Sequence, residues 1–284
     1  MTQPFTSKQV ALCIDDFGLH EGVDNAALEL AQRDRVTAIS CMVGAPHWDV
    51  GALKLSEVRA DRVDVGLHLD FTEHPISAAN RWPLPRLIAA SAARMLDRRG
   101  VRAEIDAQLD RFEQALGRPP AHVDGHQHIH QFPILRDALL EALLQRYPTH
   151  RPWLRRTARR RAGAAGFKPW LIEHLGSAPL ATAARRHGFA QNACFLGVYD
   201  FTGDAEGYRS RLAHWLAAAC EGDLLMCHPA LESPAADTIN AARKVEYGVI
   251  SSDAFPQLLA DAGVTLAPIS RIRAAVATTQ AASR

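Results

Sequence analysis

An α/β fold built as a distorted or incomplete (β/α) barrel is predicted by three observations. Short apolar segments recur along the chain, stretches with helical periodicity separate them, and several short segments finish in Asp or His. The strand candidates are 9–14, 37–42, 63–69, 122–127, 153–157, 193–199, 223–227 and 264–268. Several are almost continuously apolar, as strands covered on both faces are. The first helix candidate, 23–32, places Val23, Ala26, Ala27, Leu30 and Ala31 on one face, and 105–116 does the same with Ile105, Leu109, Phe112 and Leu116. Pro133 opens a further helix through Leu144, in the first-turn position that proline tolerates. Alternating strands and helices imply a parallel sheet. Eight strands in 284 residues suit one barrel, expected as a single domain over 1–284 with its core at about 9–270. An open doubly wound sheet is the alternative architecture. The Ala/Thr/Gln/Ser-rich tail after Ser270 is expected to fray.

Composition excludes several classes of function. Hydrophobic residues make up 48% and charged residues 22%, and the formal net charge is +1, which calls for neither nucleic acid nor a membrane surface. No run of apolar residues is long enough to span a bilayer. The opening residues 1–8 lack the profile of a secretory leader, so a cytoplasmic location is expected. The five cysteines are odd in number and widely spaced, which reads as reduced, mostly buried thiols. A basic run, Arg155, Arg156, Arg159, Arg160 and Arg161, is read as a solvated loop or helix face.

Chemistry collects at the strand ends. In parallel α/β folds, ligands bind beyond the carboxyl ends of strands. The first strand candidate runs into Asp15-Asp16-Phe17-Gly18, the third into His68-Leu69-Asp70, and the seventh into His228-Pro229. The fourth carries His122, Asp124, His126, His128 and His130 at alternate positions, which in an extended chain share one face. Each feature has a plain structural account on its own. Asp16 would cap a helix starting near residues 19–21 while Asp15 faces water, a lone His68 would be a satisfied core imidazole, and His228-Pro229 would merely close a strand. Those accounts must all hold independently, whereas one shared site explains every feature at once. An Asp/His/His set suits a divalent transition metal with open positions, such as zinc, cobalt, manganese, nickel or iron; all-oxygen shells suit magnesium and calcium better. A metal there would support hydrolysis, with a neighbouring carboxylate as base and a histidine across the site as acid.

Together these pieces resemble the YdjC-like family, the ChbG/HpnK group of carbohydrate deacetylases. The resemblance rests on Asp15-Asp16-Phe17-Gly18, Gly66-Leu67-His68, the run from His122 to His130, and Met226-Cys227-His228-Pro229, and it spans residues 9–268. It implies a distorted barrel that removes the acetyl group from an N-acetylated amino sugar with one divalent cation. By position, Asp16, His68 and His126 would hold the metal, Asp15 would activate water, and His228 would protonate the departing amine. Asp124, His128, His130 and either Arg155 or Arg156 would stand behind these or on the substrate side. Family members often carry magnesium, while the ligand types favour zinc or another transition metal. The expected partner is a small acetylated sugar, and the apolar helix faces would suit a homodimer without requiring one. Two rivals stand beside this reading. One is a metal-independent glycoside hydrolase with Asp70 or Glu73 as its second carboxylate. The other is a non-catalytic metal- or sugar-binding barrel.

Overall fold

Strand β1 (Lys8–Phe17) is the axis on which the molecule is organised, pairing with β2 on one side and β7 on the other. The structure, a computed structural model, describes residues 7–160 and 167–282. The other strands are β2 (Ala38–Cys41), β3 (Asp64–Leu69), β4 (His122–Gly125), β5 (Trp153–Leu154), β6 (Phe195–Leu196), β7 (Leu224–Cys227) and β8 (Val264–Leu266). All pairings are parallel, in the order β5-β4-β3-β2-β1-β7-β6, and β8 adds to the start of β1 off that path. The two outer strands are drawn together by isolated parallel bridges, Leu154 with Gln191 and Arg159 with Phe195. The sheet is therefore curled and incompletely closed, as predicted, rather than open and doubly wound.

Helices cover its outer surface. They are α1 (Glu21–Gln32), α2 (Trp48–Leu55), α3 (Leu84–Ala92), α4 (Arg98–Leu116) and α5 (Leu135–Arg146) in the first half. The second half adds α6 (Phe167–His174), α7 (Ser177–Arg186), α8 (Ala205–Ala218), α9 (Asn240–Ser251), α10 (Phe255–Asp261) and α11 (Ile269–Ala282). Among the described residues, no helix is long and apolar enough to cross a membrane.

Strand parity sorts the sheet into two faces. Val10, Leu12 and Ile14 of β1 join the large core beneath the helices, with Leu67, Val123, Leu154 and Leu225. Ala11 and Cys13 point into the curl, beside Ala38, Trp153, Phe195, Leu224 and Met226. The floor of the curl is plugged by the β8–α11 junction, where Ile269 and Ile272 are buried. Asp64 fastens that plug, accepting hydrogen bonds from the backbone N–H of Ser270 (3.0 Å) and from Trp153 Nε1 (2.8 Å). Space inside is tight: a Cβ on Gly66 would lie 2.3 Å from His122 Nδ1, and that ring is stacked on Trp153 with centroids 4.3 Å apart. Gly66→Ala should accordingly lose about 1–3 kcal/mol of stability through overpacking, read as a fall in the denaturation midpoint. An unchanged midpoint would show that His122 moves aside freely.

Several expectations change. Strands β5 and β6 shrink to two residues each, because Arg156 and Asn192 trade side-chain for ladder bonds: Arg156 N donates to Asn192 Oδ1 at 2.7 Å. Helix α5 starts at Leu135, after Ile134 with φ 67°, so Pro133 precedes the helix rather than forming its first turn. The tail after Ser270 does not fray at once but forms α11, held by its buried first turn. The basic run is no solvated face. Arg155 is fully buried, Arg156 Nη1 donates to the Ala193 carbonyl, Arg159 pairs with Glu173, and Arg160 pairs with Asp223. Arg161 and residues 1–6 lie outside the described residues. Cys13, Cys41 and Cys227 are buried free thiols, as expected, while Cys220 is exposed.

Candidate active site

Adjacent residues on a strand face opposite sides, so Asp15 and Asp16 can reach one site only if the strand is broken between them. It is. The register of β1 against β2 shifts between Ile14 and Phe17, and Asp16 sits in the left-handed region at φ 68°, which aspartate tolerates better than most residues. Both carboxylates are buried, so Asp15 is not on the solvated outer surface. Asp16 is no helix cap either, since α1 begins at Glu21 after His20.

Asp16, His68 and His126 each offer a ligand atom, and the three atoms lie within 4.8 Å of one another. His126 Nδ1 stands 3.0 Å from Asp16 Oδ1, and His68 Nε2 stands 3.5 Å from the same oxygen. Each imidazole has a carboxylate on its other nitrogen: Asp124 Oδ1 lies 2.7 Å from His68 Nδ1, and Glu73 Oε1 lies 3.2 Å from His126 Nε2. Such outer carboxylates orient metal-binding histidines and raise their basicity, so the donor set fits a divalent ion of the softer, nitrogen-accepting kind. Charge balance agrees. Burial opposes charge on His68 and His126, yet Asp124 and Asp15 bring His68 up to about 9 and Asp16 holds His126 well above its ordinary value. Burial would raise Asp16, but Arg243 and His126 keep its carboxyl well below the usual range.

The shared-face pattern of the histidine run ends early. The chain leaves β4 at Gly125, and Gln127 and His128 adopt left-handed conformations (φ 53° and 61°), which turns the following residues away. His122 and Asp124 keep the strand parity and point into the curl. His122 Nε2 shares a 2.8 Å hydrogen bond with Ser40 Oγ, which donates to Asp124 Oδ2 at 2.7 Å. His130 lies apart, donating from Nε2 to the Arg155 carbonyl (3.0 Å), and burial brings it down to about 4. His128 lines the cavity mouth with its ring against Phe195.

Arg155 rises from β5 to join the two halves of the network. Its guanidinium donates to both oxygens of Asp15 at 2.6 Å and also meets Asp124 Oδ2 at 2.5 Å. Burial would raise the Asp15 pKa, but Arg155 holds that carboxyl below its ordinary value. Across from it, His228 Nε2 is 4.0 Å from Asp15 Oδ2, and the edge of Phe201 packs against the His228 ring. Burial pushes His228 down to about 4, so it stands neutral at neutral pH. A cavity of about 780 Å³ receives Asp15, Asp16, His68, His126 and His228 together and is otherwise largely apolar.

Asp70 does something else. Its oxygens accept from the backbone N–H groups of Thr72, Glu73 and His74, so it anchors the loop after β3 and lies outside the cavity lining. Sequence reasoning missed Ser40, Arg243 and Glu246. Glu246 accepts from the His228 backbone N–H (2.6 Å) and from the Tyr199 hydroxyl (2.7 Å), and burial raises it to about 7. Arg243 and Glu246 sit three apart on α9, flanked by ordinary helical residues, and no motif in the chain marks them.

Fold and site define a curled (β/α) barrel protein with an Asp/His cluster at the carboxyl ends of its strands. The chain belongs to the YdjC-like protein family, whose sequence model matches residues 9–261. Among its relatives, the carbohydrate deacetylase of Homo sapiens is 28% identical, over 91% of this chain and 89% of that protein. The chitooligosaccharide deacetylase of Proteus mirabilis is 31% identical over 42% of this chain and 48% of its own length. The fold is shared with a candidate cellobiose-phosphate cleavage protein of Enterococcus faecalis at a TM-score of 0.68 and 19% identity, covering 94% and 99% of the two chains. It is also shared with a peptidoglycan N-acetylglucosamine deacetylase, at a TM-score of 0.51 and 12% identity, covering 95% and 89%.

Proposed function

We propose that this protein is a metal-dependent carbohydrate N-deacetylase, hydrolysing the amide of an N-acetylated amino sugar to acetate and a free amine. The observation that carries this reading is the meeting of three would-be ligands, Asp16, His68 and His126, with Asp15 and His228 on one cavity. The deacetylase names of the relatives point the same way. A divalent cation held by the three ligands would supply Lewis-acid polarisation of the amide carbonyl and of water. Asp15, kept ionised and aimed by Arg155, takes the proton of the attacking water. His228 enters neutral, 4.0 Å from Asp15; it would take up the proton drawn from the attacking water once the two groups close to hydrogen-bond reach, and deliver it to the leaving nitrogen. Asp124 holds the His68 ring by its Nδ1, so that Nε2 would be the nitrogen offered to a cation, and Glu73 lies 3.2 Å from the far nitrogen of His126.

A glycosidase reading is disfavoured by Asp70, whose bonds are spent on its own loop, and by Glu73, which is committed to His126. A binding-only barrel would need neither Asp15 under Arg155 nor His228 facing it. The deciding experiment is acetate release from a panel of N-acetylated sugars, including N-acetylglucosamine oligomers, with and without chelator. Acetate should appear, stop on chelation, and return with added cobalt or zinc. Sugar cleavage without acetate, untouched by chelator, would overturn the assignment.

A further inference from the structure

Arg243 is buried on α9, with only 3% of its side chain exposed, and stands between two carboxylates. Its Nη2 donates to Asp16 Oδ2 at 2.8 Å, and its Nε donates to Asp237 Oδ2 at 2.6 Å. Asp16 is thereby left with Oδ1 alone to face His68 and His126. Asp237 belongs to the loop that rims the cavity and is itself well anchored. It accepts from Ser233 Oγ (3.0 Å) and the Ile239 backbone N–H (3.0 Å), and lies 3.4 Å from His20 Nε2. One guanidinium is shared, then, by a would-be metal ligand and a rim carboxylate that touches no ligand.

We propose that Arg243 is a positioning residue whose charge is divided between Asp16 and Asp237, so that Asp237 sets how much of the Asp16 carboxylate remains available to a bound cation. The inference rests on the metal reading above. A guanidinium on one oxygen restricts the carboxylate to one-oxygen ligation and partly cancels its charge, and burial leaves that cancellation poorly screened. Taking away the charge of Asp237 gives Arg243 wholly to Asp16 and weakens the hold on a cation. Taking away the charge of Arg243 frees both Asp16 oxygens and strengthens it. A bridge that merely braces the rim loop predicts otherwise: cutting either end would loosen the site in the same direction.

The test is a cobalt(II) titration of the full-length, metal-stripped protein against a competing chromophoric chelator. Asp237→Asn should bind cobalt about threefold more weakly than the unaltered chain, and Arg243→Gln about tenfold more tightly, as expected for a full charge removed within a few ångströms. Arg243→Lys keeps the charge and should stay within about threefold of the unaltered protein. Shifts of the two neutralising variants in the same direction, or no shift in either, would overturn the proposal. Should Arg243→Gln not fold, Asp237→Asn still decides, since equal or tighter cobalt binding by it contradicts the shared-charge account. The metal reading fails in a different way: there, Asp16→Ala would bind cobalt as well as the unaltered chain does.

Discussion

Asp15→Asn is expected to keep the cation and lose turnover by about a thousandfold, the scale of a general base removed from a fixed site. The substitution leaves Asp16, His68 and His126 with all their partners, since none of their short contacts runs through Asp15. It removes the cavity-lining carboxylate that faces His228 and stands outside the proposed Asp16/His68/His126 set. His126→Ala makes the contrast, because it deletes one of the proposed ligands and should abolish cation binding and acetate release together. Cobalt titration and acetate release on the same preparations separate the two outcomes. Near-unaltered rates for Asp15→Asn would show that another group takes the proton of water.

Arg155→Met should be the most damaging substitution for the fold. The guanidinium is completely buried and holds both Asp15 and Asp124, so an apolar replacement strips Asp15 of its short ion pair and leaves Asp124 to His68. Breaking one side of a buried ion pair costs about 3–5 kcal/mol, and here one guanidinium serves two carboxylates. The effect has a pH signature. Arg155 helps hold both carboxyls below their ordinary pKa, so its stabilisation is full at neutral pH and is lost as acid protonates them. The gap in denaturation midpoint between variant and unaltered chain should therefore narrow on acidification. A constant gap would mean that the loss comes from packing alone.

Much of this was legible in the chain. Each of the eight strand candidates overlaps an observed strand, and several of them are apolar runs, because burial on both faces leaves a strong, local signal. Strand ends finishing in Asp or His pointed to one end of a parallel sheet, and the family resemblance singled out Asp16, His68 and His126, whose ligand atoms do lie close together. Parity reasoning went astray where the backbone leaves the strand. It placed His122 and Asp124 inside the curl but loses its basis past His126, because the next two residues, Gln127 and His128, are left-handed. It would also have separated Asp15 from Asp16, had the bulge in β1 not turned the second of them. Arg155 was read both as part of a solvated basic run and as a site neighbour, and only pairing with Asp15, 140 residues away, decides between them. Arg243 was invisible for the same reason: its partner Asp16 is 227 residues distant. Long-range ion pairs leave no local pattern.

The lateness of Arg155 in the chain bears on how the barrel is made. Asp15, Ser40, His68, His122 and Asp124 all precede it, and together they line the inner face with acids and imidazoles. Until residue 155 is in place, Asp124 has His68 as its cationic partner, while the short ion pair of Asp15 waits for the Arg155 guanidinium. Closure of contacts this far apart is slow. The buried face of the candidate site is thus completed by a residue that follows β4, and its short charge pairs close only when the later half of the sheet docks on the first.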